Sequence, residues 1–137
     1  MIAQQELQRA IYEALSSSDE LNAVVTGIFD EVPNDQEEPY IEIGEVIETP
    51  EDAFGSEGAN CVVTLQYFSA EGGKRESQEI AKIVDGLLDP SSFSPSLDGM
   101  TLVSISREIF SVIREGTTQT GIRCRGVARY RVFITRP

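Results

Sequence analysis

The chain has 137 residues, the length of one ordinary domain, and its 40% hydrophobic and 25% charged residues are typical of a globular protein. It contains 23 Asp and Glu residues against 11 Lys and Arg residues, and this net charge of −12 argues against a free-standing binder of nucleic acid or of an anionic membrane. The absence of His excludes a His general base and a Ser-His-Asp triad. No apolar run approaches the ~20 residues that a membrane span needs.

A helix followed by an acidic loop is predicted at the start of the chain. Apolar residues at helical spacing predict a helix over Ala3–Leu15, and a short helical turn follows it near Leu21. Residues 28–39 are predicted to form an exposed loop, because two prolines and a run of like charges disfavour regular structure. The acidic side chains of this segment, which we call the acidic loop, are Asp30, Glu31, Asp35, Glu37 and Glu38.

The middle of the chain is predicted to contain two strands and the second main helix. Alternating apolar residues predict strands over Tyr40–Glu48 and Cys61–Phe68, separated by a loop over residues 49–60. The second strand is apolar on one face and partly apolar on the other, which is typical of a central strand. An apolar stripe at helical spacing then predicts a helix over Lys74–Leu88, which Pro90 ends.

The C-terminal part is predicted to form a long β-hairpin. Its strands are Met100–Arg114 and Ile122–Thr135, and its turn covers residues 115–121. The order of elements predicts one α+β domain over residues 1–137, with an antiparallel or mixed sheet of about four strands and two main helices packed on one face. Alternation in the last strand places four basic residues, the Arg row, on one face: Arg123, Arg125, Arg129 and Arg131.

Charge is distributed unevenly along the chain. Residues 1–60 contain 15 acidic residues and one basic residue, whereas residues 61–137 contain 8 acidic and 10 basic residues. If the fold separates these two parts, the basic end of one copy could attract the acidic front of another.

No motif in the sequence predicts a catalytic, cofactor or metal site. The Gly-Gly-Lys-Arg motif at residues 72–75 lacks the glycine and hydroxyl residue of a Walker A loop, so a simple turn before a helix is the better interpretation. The acidic loop lacks the ligand spacing and the central Gly of an EF-hand. Cys61 and Cys124 lie in apolar contexts and are predicted to be reduced thiols of the core.

The acidic loop, the Arg row and the hairpin turn are candidate interface segments. Four like charges on one face need anions nearby, supplied by cross-strand pairing with Glu108 or helix acids, by solvent, or by a partner. The hairpin turn is either a mobile tip or an assembly contact. The candidate interface residues are Asp30, Glu31, Asp35, Glu37, Glu38, Thr117, Thr118, Gln119, Arg123, Arg125, Arg129 and Arg131.

Four pieces of the sequence together resemble a known family. They are Gly-Ile-Phe-Asp-Glu-Val-Pro at residues 27–33, Pro-Tyr-Ile-Glu-Ile-Gly-Glu at 39–45, Tyr-Phe-Ser at 67–69 leading into an amphipathic helix, and the Arg-rich hairpin strand at 122–131. In order and spacing they resemble the small tail completion proteins of long-tailed bacteriophages, of the tail-to-head joining or tail terminator type, which also occur in prophages and gene transfer agents. The absence of Trp and the strongly acidic loop depart from the family pattern.

The resemblance implies a virion structural protein that uses neither catalysis nor a cofactor. Such proteins form a ring, usually of six copies, on the head-proximal end of the tail tube, where they end tube polymerisation and join the tail to the head connector. The implied partners are further copies of the chain, the tail tube protein and the head connector or head-completion protein. The chain would be made in the host bacterial cytoplasm, could be a monomer when free, and would let DNA pass through the ring without specific binding.

Three other functions compete with this interpretation. The nearest is another neck or connector adaptor protein. From a different class, a small acidic hydrolase would act through paired carboxylates, as glycoside hydrolases do. An acidic regulator that mimics nucleic acid is the third.

Overall fold

Three helices and five strands make up the described part of a computed structural model, which covers residues 1–53, 55–70, 74–118 and 121–136. The predicted α+β class is confirmed, and the sheet has five strands rather than about four. In chain order the elements are α1 (Gln4–Ser16), α2 (Asp19–Asn22), β1 (Ile28–Phe29), β2 (Tyr40–Pro50), β3 (Glu57–Ser69), α3 (Arg75–Leu87), β4 (Thr101–Thr118) and β5 (Gly121–Arg136).

The additional strand is β1, which lies within the segment predicted to be a loop. Ile28 and Phe29 pair in parallel with Ile41 and Glu42 of β2. Two residues are too few to show a period of two in the sequence, so alternation could not reveal this strand.

Two predicted connections are also shorter than expected. Half of the predicted loop over residues 49–60 is strand, because β2 continues to Pro50 and β3 begins at Glu57. The predicted turn over residues 115–121 is likewise mostly strand, since Thr118 pairs with Gly121. The remaining positions of that turn, 119 and 120, lie outside the described residues, as do residues 72 and 73 of the Gly-Gly-Lys-Arg motif.

The sheet is mixed, and its strand order is β1-β2-β3-β5-β4. Among the described strands, β1 and β2 pair in parallel and the other neighbours pair antiparallel. The acidic loop connects β1 to β2 and therefore lies at one edge of the sheet. The 18-residue strand β4 forms the opposite edge.

One face of the sheet packs against α1 and α3, and α2 packs against these two helices, so that the core lies on this face. Burying these apolar side chains supplies the main driving force for folding. The buried strand residues include Cys61, Val63, Leu65, Tyr67, Ala128, Tyr130, Val132 and Ile134. The buried helix residues include Leu7, Ile11 and Leu15 of α1, Leu21 of α2, and Ile80 and Val84 of α3. The prediction of helices on one face is thereby confirmed.

Both cysteines are buried and free, in agreement with the sequence prediction. Burial, with a smaller contribution from Glu48, raises the pKa of the Cys61 thiol to about 11. The thiol is therefore neutral at physiological pH and behaves as a small apolar side chain.

A polar contact fixes α3 on the core face of the sheet. Tyr130 of β5 donates its phenolic hydrogen to Asp85 Oδ1 at 2.9 Å. Arg107 Nε of β4 donates to the same oxygen at 3.0 Å. Burial, reinforced by Asp85, raises the pKa of Tyr130, so the phenol keeps its proton and remains a donor.

Two glycines, one at the crowded start of β3 and one on the open side of α3, provide a matched test of how closely the backbone is packed at each position. A Cβ on Gly58 would lie 2.1 Å from the carbonyl oxygen of Glu51, whereas a Cβ on Gly86 of α3 would meet no atom within 4 Å. We expect Gly58→Ala to lower the free energy of unfolding by about 2 kcal/mol, because the backbone must move apart. We expect Gly86→Ala to raise it by about 0.5–1 kcal/mol, because Ala favours the helix. Urea denaturation followed by circular dichroism measures both values, and equal effects of the two substitutions would contradict the packing described.

Candidate functional site

The candidate site lies on the outer face of the sheet, which we define as the face opposite the three helices. The Arg row occupies this face on β5, as alternation predicts. Apolar side chains of β4 and β5 lie beside it: Ile109 and Ile113 are each 44% exposed, and Val127 is half-buried. Charged and exposed apolar groups therefore share one open surface.

Arg123 is held in a cluster that we call the aromatic anchor. Its guanidinium lies 4.7 Å from the ring centroid of Phe68, and its Nη2 donates to Tyr40 Oη at 2.9 Å. Glu38 approaches Arg123 Nε at 3.2 Å, within ion-pair distance but without hydrogen-bond geometry. Tyr40 stacks on Phe68 at 5.0 Å and contacts Phe29 edge-on at 6.2 Å. Each member of this cluster comes from a different one of the four sequence pieces that carry the family resemblance: Phe29, Tyr40, Phe68 and Arg123.

The aromatic anchor attaches the end of the acidic loop to the outer face. Tyr40 is buried, and that burial raises the pKa of its phenol, with Glu38 adding to the effect and Arg123 opposing it. The phenol is therefore neutral and accepts the hydrogen bond from Arg123. Gly27 leaves room for the Phe29 ring, since a Cβ there would lie 2.6 Å from a ring carbon.

Register shifts in β4 supply carboxylates to two further members of the Arg row. Glu108 and Glu115 are extra residues at two of the three shifts between β4 and β5. Glu115 lies 2.9 Å from Arg125 Nε, and Glu108 forms an ion pair with Arg131. A β-bulge changes the direction in which a side chain points, and here it turns two Glu side chains toward the outer face. The cross-strand pairing with Glu108, considered from the sequence, is therefore present.

Amide side chains of β3 complete the surroundings of these two arginines. Arg125 Nη1 donates to Gln66 Oε1 at 3.2 Å, and Arg131 Nη1 donates to Asn60 Oδ1 at 2.7 Å. Three members of the Arg row thus have partners within the chain.

Arg129 is the remaining member of the row. It is exposed, and it lies directly opposite Thr64 of β3 and Ile109 of β4. Among the residues that the structure describes, it has no ion-pair or hydrogen-bond partner. Arg114 of β4 is also exposed and lacks an ion-pair partner within the same described residues.

The acidic loop shows the converse arrangement. Glu38 is paired with Arg123, whereas the other four acidic residues are exposed and have no ion-pair partner in the described part of the chain: Asp30, Glu31, Asp35 and Glu37. The described residues contain no group of three or more Cys, Asp or Glu side chains placed to bind a metal ion.

The hairpin-turn candidates are only partly described. Thr117 and Thr118 belong to β4, where their backbones pair with Ile122 and Gly121. Their side chains and the whole of Gln119 lie outside the described residues.

A groove of about 600 Å³ runs along the exposed side of α1. Among the described residues, its lining contains a single carboxylate, that of Asp30, beside Gln8, Tyr12 and Ile43. Glycoside hydrolysis requires two carboxylates across a cleft, so this groove does not provide that chemistry.

No helix in the described ranges is long and apolar enough to cross a membrane.

The comparisons with known proteins agree with this fold. Residues 9–135 match the family model described as Tail completion protein gp17. A chain from a structure entitled "Virion of native gene transfer agent (GTA) particle" is similar with a TM-score of 0.83 and 19% identity, over 97% of each chain. The gp17 protein of bacteriophage SPP1 is similar with a TM-score of 0.64 and 23% identity, over 96% of this chain and 91% of that one. No match is found among curated protein sequences.

The different environments of Arg123 and Arg129 predict different effects on stability. We expect Arg123→Met to lower the free energy of unfolding by about 1–2 kcal/mol, because it removes the cation–π contact and leaves the largely buried Glu38 unpaired. We expect Arg129→Met to change it by less than about 0.5 kcal/mol, since no partner within the described chain is lost. Chemical denaturation of both variants measures the difference. A loss at Arg129 as large as that at Arg123 would show that Arg129 has a structural role.

Proposed function

Because the chain belongs to the tail completion protein gp17 family, we propose that it forms a ring on the head-proximal end of a phage-type tail tube. There it ends polymerisation of the tube protein and joins the tail to the head connector. The family consists of structural tail proteins, so the chain is a phage-type structural protein and not an enzyme. In this proposal residues 1–137 act as one unit, and six copies form the ring. The other partners are the tail tube protein and the head connector or head-completion protein.

The observation that carries the ring proposal is the distribution of unpaired charge between the two edges of the sheet. Four carboxylates of the acidic loop, which have no ion-pair partner in the described part of the chain, lie at the β1–β2 edge. Arg114 and Arg129, which also lack an ion-pair partner there, lie at the β4–β5 edge. A closed ring needs a heterologous contact, in which one patch meets a different patch on the next copy. Edges of opposite charge on one sheet provide such a pair of patches.

The overall charge supports the passage of DNA through the ring. The chain carries a net charge of −12, and three of the four arginines of the Arg row are engaged by partners within the chain. Nucleic-acid binding depends on free Lys and Arg groups that neutralise phosphates. A ring of such chains would repel the DNA backbone and allow it to pass without retention.

Deletion of the gene tests the proposed function. We expect tails of uncontrolled length that do not join heads, because nothing ends tube growth or forms the docking surface. Electron microscopy of lysates gives the distribution of tail lengths and the fraction of tails joined to heads. A plasmid copy of the gene should restore both, which excludes an effect on neighbouring genes.

Two other outcomes of this experiment have clear meanings. Tails of normal length that fail to join heads would favour a neck or connector adaptor and reject a role in ending tube growth. Tails of normal length that join heads normally would contradict both functions.

A second experiment uses purified protein. When it is mixed with its tail tubes, we expect caps that electron microscopy shows at the tube ends.

A further inference from the structure

We propose that Arg129 binds the acidic loop of an adjacent copy, so that a carboxylate from residues 30–37 of one copy forms an ion pair with the Arg129 guanidinium of the next. This inference rests on the proposed function, because it identifies the contact between neighbouring copies in the ring. The partner is a second copy of this chain, and the recognised group is a carboxylate.

The surroundings of Arg129 have the composition of a protein–protein contact. Exposed Ile109 lies directly opposite it, Val127 lies beside it on β5, and exposed Ile113 follows along β4. An Arg among apolar side chains is the composition found at the centre of interfaces, where charged residues are otherwise depleted. The planar guanidinium can also bind a carboxylate through two parallel hydrogen bonds.

Pairing within the chain limits the contact to one position in the Arg row. Arg125 and Arg131 flank Arg129 on the outer face, and each already has a carboxylate from β4. A carboxylate from a second copy would have to compete with Glu115 or Glu108 at those positions. At Arg129 it meets a guanidinium without a partner among the described residues.

The acidic loop does not contact Arg129 of its own copy. Within the described residues of one copy it meets β5 at Arg123, through Glu38, and Arg129 lies six residues further along that strand, roughly 20 Å away. From outside, Arg129 is only one strand away from the β4 edge, a distance of about 4.8 Å. The acidic loop reaches the same side of the sheet as the Arg row, because Glu38 contacts Arg123 there. A copy whose β1–β2 edge lies alongside β4 can therefore extend its loop over β4 to Arg129.

The irregularity of β4 favours contact through side chains over addition of a strand. Three register shifts interrupt β4, between Leu102 and Ser104, around Glu108, and around Glu115. Bulges of this kind prevent a free edge from acting as a continuous template for another strand. Recognition at this edge is then determined by the side chains that lie on the outer face.

A charge-reversal experiment on tube capping tests the inference. The full chain carrying Arg129→Glu is mixed with purified tail tubes, and capped ends are counted by electron microscopy. We expect a loss of about tenfold or more in capping, with unchanged circular dichroism and unfolding midpoint. The control is Arg75→Glu, which makes the same change of charge at an exposed residue of α3 and should leave capping unchanged.

Compensating substitutions in the acidic loop complete the test. Arg129→Glu is combined either with Asp30→Lys and Glu31→Lys or with Asp35→Lys and Glu37→Lys. Because all copies in a ring are identical, each combination reverses both sides of the contact, and recovery of capping by either one supports the inference. Normal capping by Arg129→Glu, or a loss that neither combination reverses, overturns it and leaves the ring proposal standing. Failure of the wild-type protein to cap tubes contradicts the proposed function itself.

Discussion

Four guanidinium groups on one face of β5 impose the electrostatic constraint that organises the outer face of the sheet. Like charges at alternate positions of one strand repel each other unless carboxylates lie nearby. Those carboxylates come from separate parts of the chain: Glu38 from the acidic loop, and Glu108 and Glu115 from register shifts in β4. Each pair therefore also fixes a piece of backbone. Glu38 attaches the acidic loop to the sheet. Glu108 and Glu115, which lie at register shifts of β4, form ion pairs with arginines of the neighbouring strand β5.

The two faces of β5 have different roles: the core face contributes to stability, and the outer face carries charged groups available for contacts with other chains. Residues on its core face, such as Tyr130 and Val132, pack under the helices, and Tyr130 connects β5 to α3 through Asp85. Residues on its outer face contribute less to stability, because exposed ion pairs are worth little in free energy. The outer face can therefore carry charges chosen for contacts with other chains without a large cost to the fold. The aromatic anchor is the exception on this face, since Tyr40 and Phe68 are buried there.

The strands β3 and β5 could be predicted from the sequence, because their core positions alternate with polar or charged residues over many positions. β1 could not, since two residues show no period, and the early part of β3 was hidden by Gly58 and Asn60, which are typical of loops. The row containing Arg129 was visible, but the identities of its partners depend on register shifts that alternation does not reveal. The aromatic anchor joins Phe29 to Arg123 across four strands. Its only sequence signal was the presence of an aromatic or Arg residue in each of the four pieces that resemble the family.

The net charge of the chain and the position of its unpaired charges together determine when copies would associate into the proposed ring. Each chain carries a net charge of −12, so free copies repel each other at separations within a few Debye lengths. In the proposed ring, attraction would arise only at short range and in one orientation, with the acidic edge of one sheet beside the β4–β5 edge of the next. A tube end that holds several copies side by side would supply that orientation and raise their effective concentration. Repulsion between free copies and attraction between oriented neighbours would then confine ring closure to the end of a tube, which is where the proposed function requires it.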